Sequence, residues 1–353
     1  MGNKSRYTGW SPSRWRAWQD CEKKYYFTYV KRAEVPITAE MAAGLMRHMR
    51  MLQFYKEDGS PKYKSAETFA NSVKGPWIIE VVENSEIAGR KIKWRDPQEP
   101  YRTLEVMKRD LRAIYEPYSQ EAPPLFTEQR FKVVIPSKSG YFCFVGRFDE
   151  IRLGERLAVR DHKSGLLIPE PEELAENEQF TIYSLALASL IENGNLERML
   201  HTLRRPEDVK EKALGVAREL RGLSLVEIAQ NLDLEYHNMR TGGIIQVPRR
   251  TQESFDSLIA KVSEAERKIS ENYNSNIWQV NEDSCPKCVF ANICDRKSQV
   301  MGEPTLFSLV NESRIAQEVQ DGLRSDSFYI PVKQKEKVPK LPFPRQSRKK
   351  VNV

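Results

Sequence analysis

Two neighbouring stretches of the chain, Gly146-Arg147-Phe148-Asp149-Glu150-Ile151 and Val159-Arg160-Asp161-His162-Lys163-Ser164-Gly165, combine β-strand composition with charged side chains. Asp161 and Lys163 lie two residues apart, so on a strand they point to the same face, and a hairpin brings Asp149 close to them. Two carboxylates at one sheet edge suit a hard divalent cation such as Mg²⁺ or Mn²⁺. A nearby lysine can position or help deprotonate a metal-bound water and stabilise a charged phosphoryl transition state. The alternative is a surface ion pair between Asp161 and Lys163, which contributes little to stability.

The surrounding sequence predicts an antiparallel meander followed by an apolar helix. Runs rich in Val, Ile and Phe cover 126–135, 141–153 and 156–161, and the helix spans 176–193. Residues 57–100 contain scattered Gly and Pro without a clear period, so we expect an irregular insertion there. The other predicted elements are helices over 10–30 (capped by Ser11), 38–55, 102–118, 206–230 and 252–273, a strand over 198–203, and a hairpin of 232–236 and 243–247.

The charge of the chain is concentrated at one end. Of the 353 residues, 56 are Lys or Arg and 49 are Asp or Glu, which gives a net charge of +7. Residues 331–353 hold eight basic residues and one acid, so the rest of the chain carries 48 of each. This excludes a protein that coats polyanions with its whole surface. It predicts a neutral body with a flexible basic tail, which either adds non-specific DNA contact or only aids solubility.

The sequence also limits the compartment. The longest apolar run, 183–191, is too short to span a bilayer, so we expect no membrane segment. The first residues lack the apolar stretch of a signal peptide. Five cysteines in such a chain argue against a disulfide framework and for metal ligation or chance. The expected location is therefore the reducing cytoplasm.

Three motifs together resemble the RecB-like branch of the PD-(D/E)xK nucleases. Gly146-Arg147-Phe148-Asp149, Asp161-His162-Lys163-Ser164-Gly165 and Gln179-Phe180-Thr181-Ile182-Tyr183 match in order and spacing the G-x-x-D strand, D-x-K strand and Q-x-x-x-Y helix of that family. His162 stands where the family often has Tyr. The resemblance implies an α/β, restriction-endonuclease-like core with a small central mixed sheet flanked by helices. It also implies hydrolysis of DNA dependent on Mg²⁺ or Mn²⁺, with Asp149, Asp161 and Lys163 catalytic.

The same resemblance implies further site residues. Glu128 corresponds to an acidic residue near the active site, and His48, in Gly44-Leu45-Met46-Arg47-His48, corresponds to a metal ligand beside Asp149 and Asp161. The backbone carbonyl of His162 would also contact the metal. Gln179 and Tyr183 share a helix face and would position the DNA substrate. The alternatives are that His48 is structural, as a lone helical histidine more often is, and that Tyr183 belongs to the core.

Four cysteines form a separate pattern. Cys285, Cys288 and Cys294 give C-x2-C-x5-C, and Cys21 lies more than 260 residues upstream. A C-x2-C pair alone usually indicates zinc, but a zinc ribbon needs a second nearby pair. The arrangement resembles the iron–sulfur staple of RecB-like nucleases of the AddB type and of single-domain CRISPR-associated relatives, which implies a [4Fe–4S] cluster. Cys143 is left over and is predicted to be a small buried hydrophobe.

These inferences predict one nuclease domain over 1–300 with a helical N-terminal region, followed by an extension over 301–330 and the tail over 331–353. Within it we expect an N-terminal helix over 10–30, a catalytic core over 125–195 and the cysteine cluster over 274–298. The predicted activity is a DNA exonuclease acting on single strands or ends in recombination, repair or phage DNA metabolism. Because no G-x-x-x-x-G-K-[ST] motif is present, unwinding would need a helicase or recombination partner. The alternatives are a processing nuclease in CRISPR adaptation, a non-catalytic DNA-binding module of the same fold, and a zinc-ribbon scaffold.

Overall fold

A computed structural model describes residues 9–87, 89–137, 140–165 and 167–296 of the chain. The predicted extension over 301–330 and the basic tail over 331–353 lie outside these residues. The helices are α1 (Pro12–Asp20), α2 (Glu22–Tyr25), α3 (Ala39–Leu52), α4 (Ala66–Asn71), α5 (Lys74–Pro76), α6 (Glu99–Gln120), α7 (Pro171–Ala175), α8 (Glu178–Glu192), α9 (Asn195–His201), α10 (Glu207–Arg221), α11 (Leu225–Gln230) and α12 (Gln252–Ser275). The strands are β1 (Ile37–Thr38), β2 (Glu86–Ile87), β3 (Arg90–Lys93), β4 (Phe126–Ser137), β5 (Gly140–Leu153), β6 (Leu157–Lys163), β7 (Asp233–Asn238) and β8 (Ile244–Val247). Two π-helical segments (Tyr26–Val30 and Trp77–Glu83) and a 3-10 turn (Glu282–Lys287) complete the set.

The central sheet has the strand order β4-β5-β6-β7-β8. β4, β5 and β6 form the predicted antiparallel meander, and β7 pairs with β8 as the predicted hairpin. β6 and β7 run parallel, with His162 opposite His237. Parallel neighbours require a long crossover, and the five helices α7 to α11 supply it. The sheet is therefore mixed and flanked by helices, which confirms the predicted fold class.

Helix α8 fills the core beside the sheet. Every residue from Phe180 to Ile191 is buried. A helix that is apolar on all sides must be covered on all sides, and α8 contacts the sheet, α9 to α11, and α12. This central position fixes the start of α8, which carries Gln179, against the ends of β5 and β6.

Three predicted elements differ from the structure. The strand predicted over 198–203 is part of helix α9, because Leu196, Met199 and Leu200 repeat at helical spacing and are all buried. The helix predicted over 206–230 breaks near Gly222 into α10 and α11, and a capping box on Ser224 starts the second. The helix predicted over 10–30 is interrupted at Cys21, whose backbone is extended.

Residues 57–100 are more ordered than the irregular insertion that we expected. They form α4, α5, a π-helical segment and the small strands β2 and β3, and their apolar side chains build a second core with α3 and α6. Phe69, Trp77 and Val81 are fully buried in it. The elements are short, and the π-helical turn does not follow the 3.6-residue period, so hydrophobic periodicity could not detect them.

Among the described residues, no helix combines the length and apolar character needed to cross a membrane.

Candidate active site

The predicted acidic and lysine side chains meet where β5 and β6 face α3 and α8. Lys163 Nζ lies 2.7 Å from Asp161 Oδ2. The backbone N–H of His162 donates to Asp149 Oδ2 at 2.8 Å, so β6 itself fixes the carboxylate on β5. The two-residue spacing on one strand and the hairpin between strands therefore bring Asp149, Asp161 and Lys163 to one place.

His48 and Glu128 complete this group from two other elements. His48 Nε2 lies 3.1 Å from Asp149 Oδ1, and His48 Nδ1 lies 3.4 Å from Glu128 Oε1. One ligand atom from each of the three residues lies within 4.8 Å of the others. Helix α3 can come this close because of Gly44, where an added Cβ would stand 2.6 Å from Ser164 Oγ. Glycine at this position, one turn before His48, therefore allows α3 to pack closely against Ser164.

Glu128 has an unusual backbone for a residue inside a strand. Its φ is +53°, the left-handed region that side chains other than glycine rarely adopt. The ladder pairs Thr127 with Glu150 and Gln129 with Phe148, so the distortion lies opposite Asp149. Such backbone strain costs about 1–3 kcal/mol and clusters at functional sites. Here it accompanies a carboxylate that contacts His48 and also forms an ion pair with Arg147.

The pKa shifts in the site reflect burial and opposing charges. Burial and the nearby Asp149 raise the pKa of Asp161, although Lys163 opposes the shift. Burial acts to raise the pKa of Asp149 as well, but its contacts with His48 outweigh it and the net shift is downward. Burial would lower the pKa values of His48 and Lys163, yet the carboxylates beside them raise both. The ionised form of each of these buried carboxylates is thus stabilised by positive charge close to it.

The buried oxygens in this cluster fit a cation. Glu128 Oε1 and Asp161 Oδ2 are buried, and their charged or polar neighbours among the described residues are His48 Nδ1 at 3.4 Å and Lys163 Nζ at 2.7 Å. Buried carboxylates need positive charge beside them. Oxygen ligands together with one imidazole suit Mg²⁺ or Mn²⁺, with some preference for Mn²⁺. The residues present therefore fit a divalent metal.

Gln179 joins the acid and the lysine. Its Nε2 donates to Asp161 Oδ1 at 2.8 Å, and its Oε1 accepts from Lys163 Nζ at 3.1 Å. Gln179 Nε2 also lies 2.9 Å from the hydroxyl of Tyr183. Tyr183 is 4% exposed and packs on Phe148, so it belongs to the core and touches the site at the same time. Both residues therefore hold the Asp161 carboxylate through contacts from α8.

The side chain of His162 meets the ring of His48 edge-on, at 5.9 Å between centroids, and extends into a buried polar network that the sequence did not reveal. His162 Nε2 lies 3.2 Å from Glu150 Oε1, and its Nδ1 shares a hydrogen bond of 2.8 Å with His237 Nδ1. Glu150 also contacts Tyr118 and Arg152, whose guanidinium lies 2.7 Å from it. The sequence gives no signal that singles out Glu150, and only the pairing of β6 with β7 brings His237 close to it. The network therefore links β6 and β7 next to the site.

This network predicts a pH-dependent stability. Burial, together with the neighbouring His162 and the positive charge of Arg160, holds the pKa of His237 well below its ordinary value of 6.5. Because the unfolded chain takes up a proton at about pH 6.5 and the folded chain does not, His237 lowers stability as the pH falls. We expect the cost of His237→Asn in unfolding free energy to shrink by about 1 kcal/mol between pH 7 and pH 5.5. Urea melts of both proteins at both pH values measure this, and a cost independent of pH contradicts it.

The four cysteines of the second motif lie around one small cavity. Cys21, Cys285, Cys288 and Cys294 line it together with aromatic side chains. Phe27 and Phe290 stack at 5.4 Å between ring centroids. Cys143 lies elsewhere, buried on β5, and burial raises the pKa of its thiol.

Hydrogen bonds join residues 20–23 to residues 279–284 beside this cavity. Lys23 N donates to Gln279 O at 3.1 Å, and Ser284 Oγ donates to Asp20 O at 2.7 Å. The N–H of Asn281 donates to Cys21 Sγ at 3.4 Å. The break of the N-terminal helix at Cys21 therefore places this thiol against the C-terminal motif.

Comparison with known proteins agrees with this geometry. The family model for the PD-(D/E)XK nuclease superfamily matches residues 9–295, which includes the acidic site and the four cysteines. No curated protein matches the chain. Nucleases of this superfamily use divalent metals to hydrolyse phosphodiester bonds, and the chain has a fitting acidic site. This chain belongs to the PD-(D/E)XK nuclease superfamily.

Proposed function

We propose that this protein is a metal-dependent exonuclease that cleaves DNA single strands or DNA ends during recombination, repair or phage DNA metabolism. The observation that carries the proposal is the group formed by His48, Glu128 and Asp149 beside the Asp161–Lys163 pair. The three strands of the meander and the distant helix α3 converge on it, and they bring buried carboxylate oxygens together. A surface ion pair does not require that convergence.

His48, Asp149 and Asp161 are the proposed metal-holding residues, with Glu128 next to them and the backbone carbonyl of His162 as a further ligand. When bound, a divalent cation would lower the pKa of a water molecule and stabilise charge on the phosphate. Lys163 stays protonated because its pKa is raised, so it acts as a donor that orients the water and stabilises charge. It is therefore not the base in this proposal.

The proton of the attacking water needs an acceptor. Burial raises the pKa of Glu128, so this carboxylate, which is not one of the three proposed metal-holding side chains, accepts a proton more readily than an ordinary glutamate. In the proposed reaction the water oxygen bonds to phosphorus, the ester P–O bond breaks, the water proton goes to Glu128, and the released sugar oxygen takes up a proton from solvent to leave as a hydroxyl. Gln179 and Tyr183 hold Asp161 in place and thereby position the reacting groups.

For the cysteine cavity we propose a [4Fe–4S] cluster that acts as a structural staple within a single domain over 1–300. Cys21, Cys285, Cys288 and Cys294 line this one cavity, and four thiolates suit a [4Fe–4S] cluster.

The activity is tested with the full-length protein and single strands labelled at the 5′ or the 3′ end. With Mn²⁺ or Mg²⁺ we expect progressive shortening from one end, and with EDTA no cleavage. A circular single strand is the matched control, since an exonuclease leaves it intact and an endonuclease cuts it. Binding without cleavage under all metal conditions would contradict the enzyme and support a non-catalytic DNA-binding module.

A further inference from the structure

A cavity of about 380 Å³ lies between α1 and α12, within the size range of small-ligand sites. The indole rings of Trp15 and Trp18 line it from α1, and Lys261 and Lys268 line it from α12. Three side-chain amides, which can both donate and accept hydrogen bonds, also contribute to the wall: Gln19, Gln279 and Asn281. The cavity therefore offers flat aromatic surface together with hydrogen-bonding groups.

The two tryptophans are only partly used by the fold. Trp18 is half-buried, and the one ring near it among the described residues is Tyr25, which meets it edge-on at 5.5 Å. No described ring is stacked on a face of Trp18. Trp15 is 3% exposed, and its indole N–H has no hydrogen-bond partner among the described residues. An unpaired buried donor is rare in folded proteins.

The charges around the cavity favour a neutral aromatic ligand. Lys261 and Lys268 are balanced by Glu22 and Glu264, which line the same cavity. Lys268 is exposed and has no ion pair or hydrogen bond with a described residue. Because the charges that line the cavity cancel, its interior suits an uncharged nucleobase better than a phosphate. The lysine on the rim can then contact a phosphate outside the cavity.

The cavity is connected to the catalytic group through Glu178. This carboxylate accepts hydrogen bonds from Gln19 at 3.1 Å and from Lys261 at 2.7 Å. The next residue, Gln179, contacts both Asp161 and Lys163. The rim of the cavity and the active site therefore share the first turn of α8.

Arg16 extends this connection along α1. It lies three residues before Gln19, so the two share a face of the helix. Arg16 is exposed, has no described ion-pair or hydrogen-bond partner, and lies on α1, which packs against α8, the helix that carries Gln179. A free guanidinium beside the active site suits a DNA phosphate. Helix α1 thus presents groups for a strand from the active site to the cavity.

We propose that this cavity binds a nucleobase of the DNA strand being cleaved, with the base against the ring of Trp18 and the flanking phosphates near Arg16 and Lys268. The inference rests on the proposed function, since it takes DNA as the substrate. Stacking on an aromatic ring tolerates any base. The cavity therefore anchors a strand without selecting its sequence, at a place separate from His48, Asp149 and Asp161, while Cys21 of the cysteine cavity also lines it.

The test compares Trp18→Ala and Trp18→Phe with Trp94→Ala, a half-buried tryptophan of the second core that serves as the matched control. Binding of a fluorescent twelve-residue oligothymidylate is measured by anisotropy in EDTA, and kcat and KM are measured with Mn²⁺. Loss of one stacked base corresponds to a dissociation constant raised about 5- to 100-fold for Trp18→Ala. We expect KM to rise with it, kcat to stay within about twofold, Trp18→Phe to recover most of the affinity, and Trp94→Ala to match the wild type.

A second measurement does not depend on a variant that folds. Wild-type protein is irradiated with the same oligonucleotide carrying 5-iododeoxyuridine, and the cross-linked peptide is identified by mass spectrometry. Cross-links on α1 or α12 support the cavity as the site. If the wild type cleaves DNA but Trp18→Ala binds normally, or the cross-links fall only elsewhere, the cavity inference is wrong while the proposed function stands. If the wild type neither binds nor cleaves DNA, the proposed function itself fails.

Discussion

Asp161→Asn is expected to lower kcat for DNA hydrolysis by at least about a thousandfold, the effect of losing several kcal/mol of transition-state stabilisation. The carboxylate lies 2.7 Å from Lys163 Nζ and accepts from Gln179, so it contacts both proposed chemical partners. Asparagine keeps the volume and one acceptor oxygen but loses the charge. Steady-state hydrolysis of an end-labelled strand with Mn²⁺ measures the effect.

The same variant is expected to unfold at an equal or higher temperature than the wild type. The folded protein raises the pKa of Asp161, even with Lys163 beside it, so the ionised group lowers stability at neutral pH. Asparagine removes this charge and with it an unfavourable contribution to the free energy of folding, which the wild type retains because the charge is needed for catalysis. A calorimetric melt of both proteins measures this change.

Asp149→Asn provides the matched control because the pKa of Asp149 is lowered in the folded protein. Its ionised form stabilises the fold, so the variant is expected to lose stability as well as activity. Both variants are thus expected to lose activity, but Asp161→Asn keeps or gains stability whereas Asp149→Asn loses it. An Asp161→Asn protein that keeps more than about a tenth of the wild-type kcat would remove Asp161 from the catalytic group.

The sequence predicted the parts of the site that depend on local geometry. The alternation of side chains on a strand placed Asp161 and Lys163 together, and the four-residue spacing on a helix placed Gln179 with Tyr183. These relations follow from the backbone alone. They would hold wherever the elements packed.

Features that depend on tertiary packing were not accessible in this way. The left-handed backbone of Glu128 has no sequence signal, because glutamate rarely adopts it. The contact of His162 with His237 exists only because β6 and β7 pair in parallel across a five-helix crossover. Helix α9 was mistaken for a strand since a short apolar run fits both periods until its burial is known.

The buried network behind β6 explains how the site keeps its shape. Arg160 lies next to Asp161 in sequence but points the other way, where it contacts Glu235 and Glu121 at 2.7 and 2.5 Å. Polar networks that are satisfied inside a protein make the local structure rigid. Alternate residues of β6 therefore belong either to the active site or to the polar network that holds it. The carboxylates can then stay close together in a geometry that their mutual repulsion opposes.

Cys285→Ala is expected to abolish the brown colour and the bound iron and sulfide of anaerobically purified protein, and to lower its melting temperature by roughly 10 °C. A cluster held by Cys21 and Cys285 joins residues more than 260 positions apart. By the arithmetic of cross-links, closing a loop of that size stabilises the folded state by about 5 kcal/mol. The hydrogen bond from Ser284 to Asp20 remains, so the fold should weaken rather than be lost.

Cys143→Ala is the matched control, since Cys143 is buried like Cys21 but lies on β5 away from the cavity. It loses only the packing of one small side chain, so iron, sulfide and colour should equal those of the wild type. Iron and sulfide assays, a visible spectrum and a thermal melt on the three proteins separate the staple from ordinary burial. Colourless wild-type protein with stoichiometric zinc would overturn the cluster and make the four cysteines a zinc site. Equal losses in both variants would instead assign the effect of Cys285→Ala to lost packing, because Cys143 lies away from the cavity and only a cofactor bound there would make the two substitutions differ.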